Sequence, residues 1–224
     1  MIQTKNLIKT FKDGDAETKV LKGIDFRAEN GQFIVIMGRS GSGKSTFLYQ
    51  MSLLDYPTSG QIIINGRDTS TMSSQERILF RLTQCGYVFQ DYALLPELTA
   101  LENVVLPLLM QGISKKTANT IAKEALTKVG LSHRFYNLPS HLSGGEQQRT
   151  SIARAIAHKP KILFADEPTA NLDNESSKAI LDIFQELHRQ GQTIIMVTHE
   201  EQYAILAQKI IRLDDGKIVF DTKN

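Results

Sequence analysis

Residues 38–46, GRSGSGKST, have the types and the spacing of a loop that binds phosphate. The segment follows an apolar run, QFIVIMG, and precedes a helical pattern, STFLYQMSLL. Its glycines let the backbone approach an anion, and N–H groups at the helix start can surround the phosphate oxygens. Lys44 is predicted to reach the β- and γ-phosphates, and the Ser45 hydroxyl to ligate Mg²⁺. The alternative is a Gly/Ser-rich turn, but a strand, a loop and a helix occurring together favour the phosphate loop.

Two acidic residues, Asp166 and Glu167, end a second apolar run in ILFADEP. If this run is a buried strand, the acids lie at its carboxyl end, where open α/β sheets bind ligands. An aspartate there can hold Mg²⁺ through water, and a glutamate can accept a proton from an attacking water. The alternative is a pair of acids at the start of the next turn.

The segment LSGGEQQR, residues 142–149, predicts a helix start of an unusual kind. Ser143 and Glu146 have the spacing of a capping box. Gly144 and Gly145 fall in the first helical turn, where each glycine costs ~1 kcal/mol relative to alanine. A simple cap does not need them, whereas a helix start that an anion touches does.

The patterns around these motifs predict the elements that hold them. VLKGIDFRA and QIIING are predicted as strands of an N-terminal antiparallel part, and QFIVIM as a buried strand. Further capping boxes at Ser73 and Thr99, and a helix from Ser114 to Gly130, predict a helix-rich middle. After Pro139 helices alternate with the strands KILFAD and TIIMVTH, which indicates a parallel sheet, and KIIRLDDGKIVF predicts a closing hairpin. The fold class is therefore α/β.

Composition excludes some classes of function. The chain has 224 residues, 41% hydrophobic and 22% charged, with a formal charge of +2. Because there is no Lys/Arg run, we expect no nucleic-acid partner. The single Cys85 cannot form an intrachain disulfide and is predicted to be a small buried residue. No signal peptide is visible and VVLPLLM is too short to span a bilayer, so a partner would hold the protein at any membrane it serves.

Taken together, GRSGSGKS, LSGGEQ and ILFADEP resemble the nucleotide-binding subunit of ATP-binding cassette (ABC) proteins, over essentially the whole chain. The resemblance implies a P-loop NTPase (RecA-like) core with a mostly parallel sheet, an N-terminal antiparallel β subdomain and an inserted helical subdomain. It implies one domain, 1–224, with a core of 1–90 and 160–224 and a helical subdomain of 91–159. It implies ATP and Mg²⁺ as ligands. The residues expected to contact nucleotide are Phe11, Gly38, Arg39, Ser40, Gly41, Ser42, Gly43, Lys44, Ser45, Thr46, Ser143, Gly144, Gly145 and Glu146.

The resemblance also implies roles that the residue types alone do not. In this family two subunits pair head to tail, so Ser143 and Gly145 of one chain would meet the γ-phosphate held by the other. Gln90 matches the glutamine that senses Mg²⁺ and water, and His199 the histidine that bonds the γ-phosphate. In isolation they would be a solvated strand end and an ordinary exposed histidine.

Two further residues carry weaker assignments. Asp173 matches the aspartate that lines the dimer seam. Phe11 stands where the family places a ring against adenine, with a core aromatic as the alternative. The expected catalytic residues are Glu167, His199, Lys44 and Gln90, and the expected metal ligands are Ser45, Gln90 and Asp166.

The sequence around Gln90 is similar to that of the ABC branch that serves lipoprotein release and macrolide-type efflux in bacteria. It predicts a peripheral subunit on the cytoplasmic face of the inner membrane, bound to a permease. Some of the nearby apolar residues are predicted to line a groove for a partner helix, with core packing as the alternative for most of them: Leu94, Leu95, Leu98, Leu101, Val104 and Val105. Glu146, Arg39 and Glu200 depart from the usual glutamine, proline and aspartate without removing a catalytic group.

The resulting hypothesis is an ATP-hydrolysing subunit in which dimer closure powers export or lipoprotein extrusion. Two alternatives stay open. One is a soluble ABC ATPase of the cluster-assembly type. The other is a nucleotide-gated clamp that transmits a signal through a membrane protein, as in cell-division complexes.

Overall fold

The computed structural model describes residues 1–14 and 16–222. The chain divides into two compact units, Met1–Arg81 with Gly191–Asn224, and Leu82–Gln190. The helical subdomain expected at 91–159 lies within the second range and stays a prediction.

In chain order the elements are β1 (Ile2–Asp13), β2 (Ala16–Ala28), β3 (Phe33–Met37), α1 (Lys44–Met51), β4 (Ser59–Ile64), β5 (Arg67–Asp68), α2 (Ser74–Gln84), β6 (Cys85–Val88), α3 (Ala100–Met110), α4 (Lys115–Lys128), α5 (Gly144–Ile156), β7 (Ile162–Asp166), α6 (Asn174–Arg189), β8 (Thr193–Val197), α7 (Glu201–Ala204), β9 (Lys209–Asp214) and β10 (Lys217–Asp221). Single 3-10 turns lie at Thr69–Thr71 and Pro139–His141.

The first unit contains a parallel group of strands centred on β3. β3 pairs in parallel with β8 and with β9, and β10 pairs antiparallel with β9. Every side chain of β3 and β8 is buried, as expected for strands covered on both faces. The predicted buried strand and the closing hairpin are therefore confirmed.

The same unit contains an antiparallel sheet of order β2-β1-β4-β5. The sequence pattern does not delimit β1, which pairs with both β2 and β4, because the alternation of polar and apolar residues breaks in the middle of the strand. Asn6 has φ 45°, and the register with β2 shifts between Thr4 and Leu7. An irregularity of this kind moves side chains to the opposite face and so hides a strand from its pattern.

The far end of α1 is tied down by two arginines of α2. Leu53, just beyond the helix, has φ 61°. Arg81 donates to the Leu53 carbonyl at 2.9 Å, and Arg77, which is 2% exposed, donates to the Asp55 carbonyl at 2.8 Å. The Arg77 guanidinium also lies 3.9 Å from the centre of the Tyr56 ring. These contacts satisfy carbonyls of the segment that directly follows the helix and hold that segment against α2.

In the second unit, β6 and β7 pair in parallel. The helix starts predicted from capping residues are confirmed: Ser143 and Thr99 form complete capping boxes, and Ser114 accepts from Thr117 N. Gly130 adopts φ 76° just after α4, as predicted for a glycine that ends a helix. Cys85 is buried, as predicted.

Candidate active site

The phosphate loop follows β3 directly and is closely packed within the first unit. A Cβ on Gly38, whose φ is 154°, would lie 2.3 Å from the Leu213 carbonyl oxygen and 2.6 Å from Ser42 Oγ. Only glycine fits without moving backbone. Gly43 adopts φ 97° and serves as the N-cap of α1, which has no side-chain cap. The first turn of α1 is therefore not covered by a capping side chain.

Lys44 lies at this helix start with its charge turned toward the loop. It is 6% exposed, and Nζ donates to the carbonyl oxygens of Gly38 and Arg39, each at 3.0 Å. A nearly buried ammonium beside a helix N-terminus creates a positive potential at the loop. A polyphosphate is the ligand that this arrangement favours.

The other residues of the loop differ in exposure. Arg39, Ser40 and Gly41 are exposed, whereas Ser45 and Thr46 are half-buried in the first turn of α1. Ser42 is 4% exposed and its Oγ has no hydrogen-bond partner among the described residues. A buried hydroxyl of this kind is suited to a ligand that brings a partner.

Two residues expected near the nucleotide also belong to the first unit. Phe11 on β1 is 47% exposed, which makes the core-aromatic alternative wrong. Its ring has Lys9 Nζ 4.9 Å from the centre. His199 is exposed and follows the carboxyl end of β8.

The acidic pair belongs to the second unit and lies at the carboxyl end of β7, as predicted. Asp166 is 4% exposed and is the last residue of this fully buried strand. Glu167 is half-buried and adopts φ 42°, which is uncommon for a residue with a Cβ. The chain therefore turns sharply at the carboxylate that was predicted as the base.

Gln90 is exposed just beyond β6, and its backbone carbonyl accepts a hydrogen bond from Asn171 Nδ2 at 3.1 Å. Asn171 lies a few residues beyond Glu167. The structure therefore brings the Gln90 backbone and the segment after Glu167 together within this unit.

The segment LSGGEQQR starts α5 with a complete capping box. Ser143 is exposed; its Oγ accepts from Glu146 N at 3.2 Å, and Glu146 accepts from Ser143 N at 2.8 Å. Arg134 Nε donates to the second oxygen of Glu146 at 2.8 Å. Burial favours the protonated carboxyl, but the bonds from Ser143 N–H and Arg134 outweigh burial and hold the pKa of Glu146 below its ordinary value.

The glycines of this segment have a packing reason that the sequence did not reveal. A Cβ on Gly145 would lie 2.7 Å from Ser176 Oγ, and one on Gly144 would lie 3.0 Å from the Tyr92 hydroxyl oxygen. A simple cap does not require these glycines. Tight packing against Ser176 and Tyr92 is therefore a second reason for small residues here, besides contact with an anion.

Asp173 is the N-cap of α6. It accepts from the Ser176 backbone N–H at 2.8 Å and from the Ser176 hydroxyl at 2.9 Å, and these bonds lower the pKa of Asp173. Its carboxylate is exposed. The structure thus gives Asp173 a capping function, and the place at a dimer seam stays a prediction.

Each unit offers an oxygen of the kind that could hold Mg²⁺ together with a phosphate ligand. No group of three His, Cys, Asp or Glu side chains in residues 1–14 and 16–222 could hold a metal ion. Mg²⁺ in proteins is commonly held by one or two protein oxygens together with substrate phosphates. Ser45 and Asp166 supply oxygens of that kind. Within the same described ranges, no helix is long and apolar enough to cross a membrane.

These features define a nucleotide-binding α/β protein with a P-loop. The chain belongs to the ABC transporter family, whose profile matches residues 21–170. It is 46% identical to a lipoprotein-releasing system ATP-binding protein, LolD, of Aquifex aeolicus, over 90% of each chain. It is 44% identical to a macrolide export ATP-binding/permease protein, MacB, of Bdellovibrio bacteriovorus, over 100% of this chain and 34% of MacB.

Among solved structures, the ATP-binding cassette MJ0796, a dimer in a post-hydrolysis state bound to ADP and Pi, superposes with a TM-score of 0.93. The sequences are 39% identical, and the match covers 100% of this chain and 98% of that one. The predicted fold class and the resemblance to ATP-binding subunits of the LolD and MacB branch are confirmed. ATP is the nucleotide that the family binds.

Contacts of Gln148, Arg154 and Asn171 were not predicted from the sequence. Each side chain donates to a backbone carbonyl that is distant in the chain, at Pro168, Tyr92 and Gln90 respectively. Gln148 stands inside the motif LSGGEQQR, which was the only available signal.

Proposed function

We propose that this chain binds and hydrolyses ATP as a peripheral subunit of a membrane ABC transporter complex. In this proposal ATP closes a head-to-tail dimer of two copies, and closure drives export or lipoprotein or peptide extrusion through a partner permease. One observation carries the proposal. A single chain has an uncapped helix start suited to an anion, at α1, and a second helix start, at α5, that leaves the Ser143 hydroxyl exposed to donate to a phosphate.

On this proposal the phosphate loop is the resident binding element. Lys44 exchanges the carbonyls of Gly38 and Arg39 for the β- and γ-phosphates, and the N–H groups of residues 38–46 contact phosphate oxygens. Mg²⁺, held by Ser45 and by Asp166 through water, would neutralise charge on the phosphates. Gln90 would contact the bound Mg²⁺ and the attacking water and so respond to their presence.

Hydrolysis needs a base and a charge-stabilising group. Glu167 would polarise the attacking water, and His199 would donate to the γ-phosphate. The second copy supplies Ser143. Because Ser143 Oγ already accepts from Glu146 N, its own O–H remains available to donate to phosphate. Phosphoryl transfer depends mainly on positioning and electrostatics, so closure of the dimer is itself the step that completes the site.

Burial divides the candidates for a permease groove into core residues and exposed ones. Leu101, Val104 and Val105, which were candidates for a permease groove, are at most 6% exposed and belong to the core. Leu95 is 43% exposed and stays a candidate, while Leu94 and Leu98 are half-buried. The later part of α3 also exposes Leu106, Leu109 and Met110. Aspartate substitutions at the exposed positions should reduce recovery of the chain with a membrane complex; unchanged recovery would count against this surface.

The alternatives differ in partner and in turnover. A soluble cluster-assembly ATPase would not be recovered with a native membrane fraction, whereas the proposed subunit would. A signal-transmitting clamp would show little ATPase activity with or without its partner. The dimeric state of MJ0796 with ADP and Pi supports an ATP-hydrolysing dimer over a clamp.

The deciding experiment is the substitution Glu167→Gln, which keeps the side-chain size and removes the base. We expect ATP binding to persist, kcat to fall by roughly 100- to 10,000-fold, and an ATP-dependent dimer to accumulate. Turnover with radiolabelled ATP and size-exclusion chromatography measure the two effects. Glu175→Gln, at an exposed glutamate in the first turn of α6, is the matched control and should behave as wild type. Normal turnover by Glu167→Gln would show that Glu167 is not the base.

A further inference from the structure

Gln148, on α5, is fully buried, and its side-chain amide contacts the backbone of two different loops. Nε2 donates to the Pro168 carbonyl at 2.7 Å and to the Phe89 carbonyl at 3.3 Å. Pro168 directly follows Glu167, and Phe89 directly precedes Gln90. The Gln148 amide is thus hydrogen-bonded to the backbone neighbours of both Glu167 and Gln90. We call residues 167–171 the Glu167 loop and residues 89–93 the Gln90 loop.

Other side chains also hold the Gln90 loop. Arg154, further along α5, donates to the carbonyls of Tyr92 and Ala93, the former at 2.9 Å. Tyr92 and Ala93 have φ values of 64° and 49°, and left-handed residues in succession are costly without glycine. Asn171 donates to the Gln90 carbonyl. Side chains of α5 and of the Glu167 loop therefore help to hold this loop in a conformation that its own residue types do not favour.

The second polar atom of Gln148 is informative. Oε1 is buried and has no hydrogen-bond partner among the described residues. A buried acceptor without a partner lowers stability, and an apolar side chain of similar size would avoid that penalty. Packing alone is thus a poor explanation for an amide at this position. The bonds donated by Nε2 are what the amide provides.

We propose that Gln148 is a positioning residue for ATP hydrolysis. Its amide fixes the spacing between the Glu167 loop and the Gln90 loop, and it ties both to the helix that begins after Ser143. A movement of α5 therefore displaces the Glu167 and Gln90 backbones together. The inference rests on the proposed function, because the positioned side chains are the proposed base and the proposed sensor of Mg²⁺ and water.

The position of Gln148 predicts which kinetic parameter responds. The bonds donated by Gln148 go to Phe89 and Pro168 within its own unit. The phosphate loop, which supplies the proposed affinity for ATP, belongs to the first unit. Loss of the amide should leave the KM for ATP nearly unchanged. It should lower kcat, since a displacement of about 1 Å at a reacting group can cost about 100-fold in rate.

The first test is Gln148→Met, which keeps volume and removes the donor. We expect kcat to fall by roughly 10- to 100-fold with KM changed less than about twofold. The control is Gln111→Met, because Gln111, which is half-buried, also donates through Nε2 to a backbone carbonyl, that of Leu82, at 2.8 Å. The control should keep wild-type kinetics. Wild-type kcat in Gln148→Met would overturn the proposal.

The second variant, Gln148→Glu, keeps the test valid if Gln148→Met does not fold, and its activity should depend on pH in a way that reports the donated hydrogen bond. A protonated carboxyl can donate one hydrogen bond to a carbonyl, whereas a carboxylate can donate none. We expect the ratio of its kcat to that of wild type to rise as pH falls from about 8 to about 6, because burial raises the pKa of a carboxyl. A ratio independent of pH would count against positioning by a donated bond.

A third measurement does not require turnover and separates this inference from the proposed function. Amide hydrogen exchange in both loops should accelerate by roughly fivefold in Gln148→Met relative to Gln111→Met. Unchanged exchange in either loop would overturn the positioning role, whatever the activity. If exchange accelerates while wild type and Glu167→Gln have equal ATPase rates, the loop contacts stand and the proposed function fails.

Discussion

The helix starts of α1 and α5 are both associated with glycines and both are candidates for contact with phosphate, yet they are built in opposite ways. α1 begins after Gly43 with no side-chain cap and no acidic residue in its first turn. α5 begins with a capping box whose acid, Glu146, lies in its first turn. The uncapped start of α1, with Lys44 beside it, attracts anions. At the start of α5 the Glu146 carboxylate already supplies the negative charge that a bound anion would otherwise bring.

The difference indicates separate tasks. The start of α1 has what is needed to bind polyphosphate by itself. At α5 the acid is paired with Arg134, so the contribution left for a ligand comes mainly from the exposed Ser143 hydroxyl. We therefore expect α1 to set affinity for nucleotide, and α5 to act when a second copy brings its phosphate.

The largest effect on nucleotide affinity should come from Gly38→Ala, which disturbs the phosphate loop before α1. The added Cβ would lie 2.3 Å from the Leu213 carbonyl, so the loop must move by a distance that its phosphate contacts do not tolerate. We expect the Kd for ATP to rise by roughly 100-fold or more, equivalent to about 3 kcal/mol. Gly66→Ala is the control: φ is 81° there, but no atom lies within 4 Å of the added Cβ. Equal ATP affinity in the two variants would contradict the close-packing argument.

A smaller effect should come from Ser143→Ala, which separates the cap from the phosphate contact at α5. Its matched control is Ser114→Ala at the start of α4, where the serine also accepts from the backbone three residues on. Each variant should lose about 1 kcal/mol of unfolding free energy. Only Ser143→Ala should lower kcat, by roughly 10- to 100-fold. A Ser143→Ala protein with full activity would mean that α5 is capped for stability alone, and a fully active monomer would remove the need for α5 altogether.

The smallest effect concerns the pH dependence of Glu146. Its folded-state pKa lies below the ordinary value of 4.5, so the carboxylate stabilises the fold above that pH and the contribution is lost as pH falls further. We expect wild type to lose about 1 kcal/mol of unfolding free energy, or less, from this group in acid. Glu146→Gln should lack that part of the loss in urea unfolding series at neutral pH and below pH 4.5. Parallel pH curves for the two proteins would show that the capping carboxylate is not stabilising.

Elements defined by local chemistry were predictable from the sequence. The buried runs of β3, β7 and β8, the helix starts at Thr99, Ser114 and Ser143, and the Asp215–Gly216 turn all follow from residues close together in the chain. The phosphate loop and the acids at the end of β7 belong to the same group, because strand, loop and helix occur in one short segment.

The features that were not predictable depend on distant residues. The tie from Gln148 to Phe89 joins residues 59 apart, and that from Arg154 to Tyr92 joins residues 62 apart. The packing of Gly145 against Ser176 is of the same kind. The left-handed conformation of Glu167 has no local signal either, since glutamate does not favour it.

Fixation of the far end of α1 by Arg77 and Arg81 has a consequence for how nucleotide is accommodated. Because the segment after Met51 is held in place, the C-terminal end of α1 cannot shift or unwind when a ligand binds at its N-terminal end. The adjustment has to occur as peptide-plane rotation in residues 38–43, where Lys44 releases two carbonyls and glycines permit the change. Binding of ATP should accordingly reorient a few backbone amide groups while the axis of α1 stays in place. Without nucleotide, the bonds from the Lys44 ammonium to the two carbonyls keep the loop in its conformation.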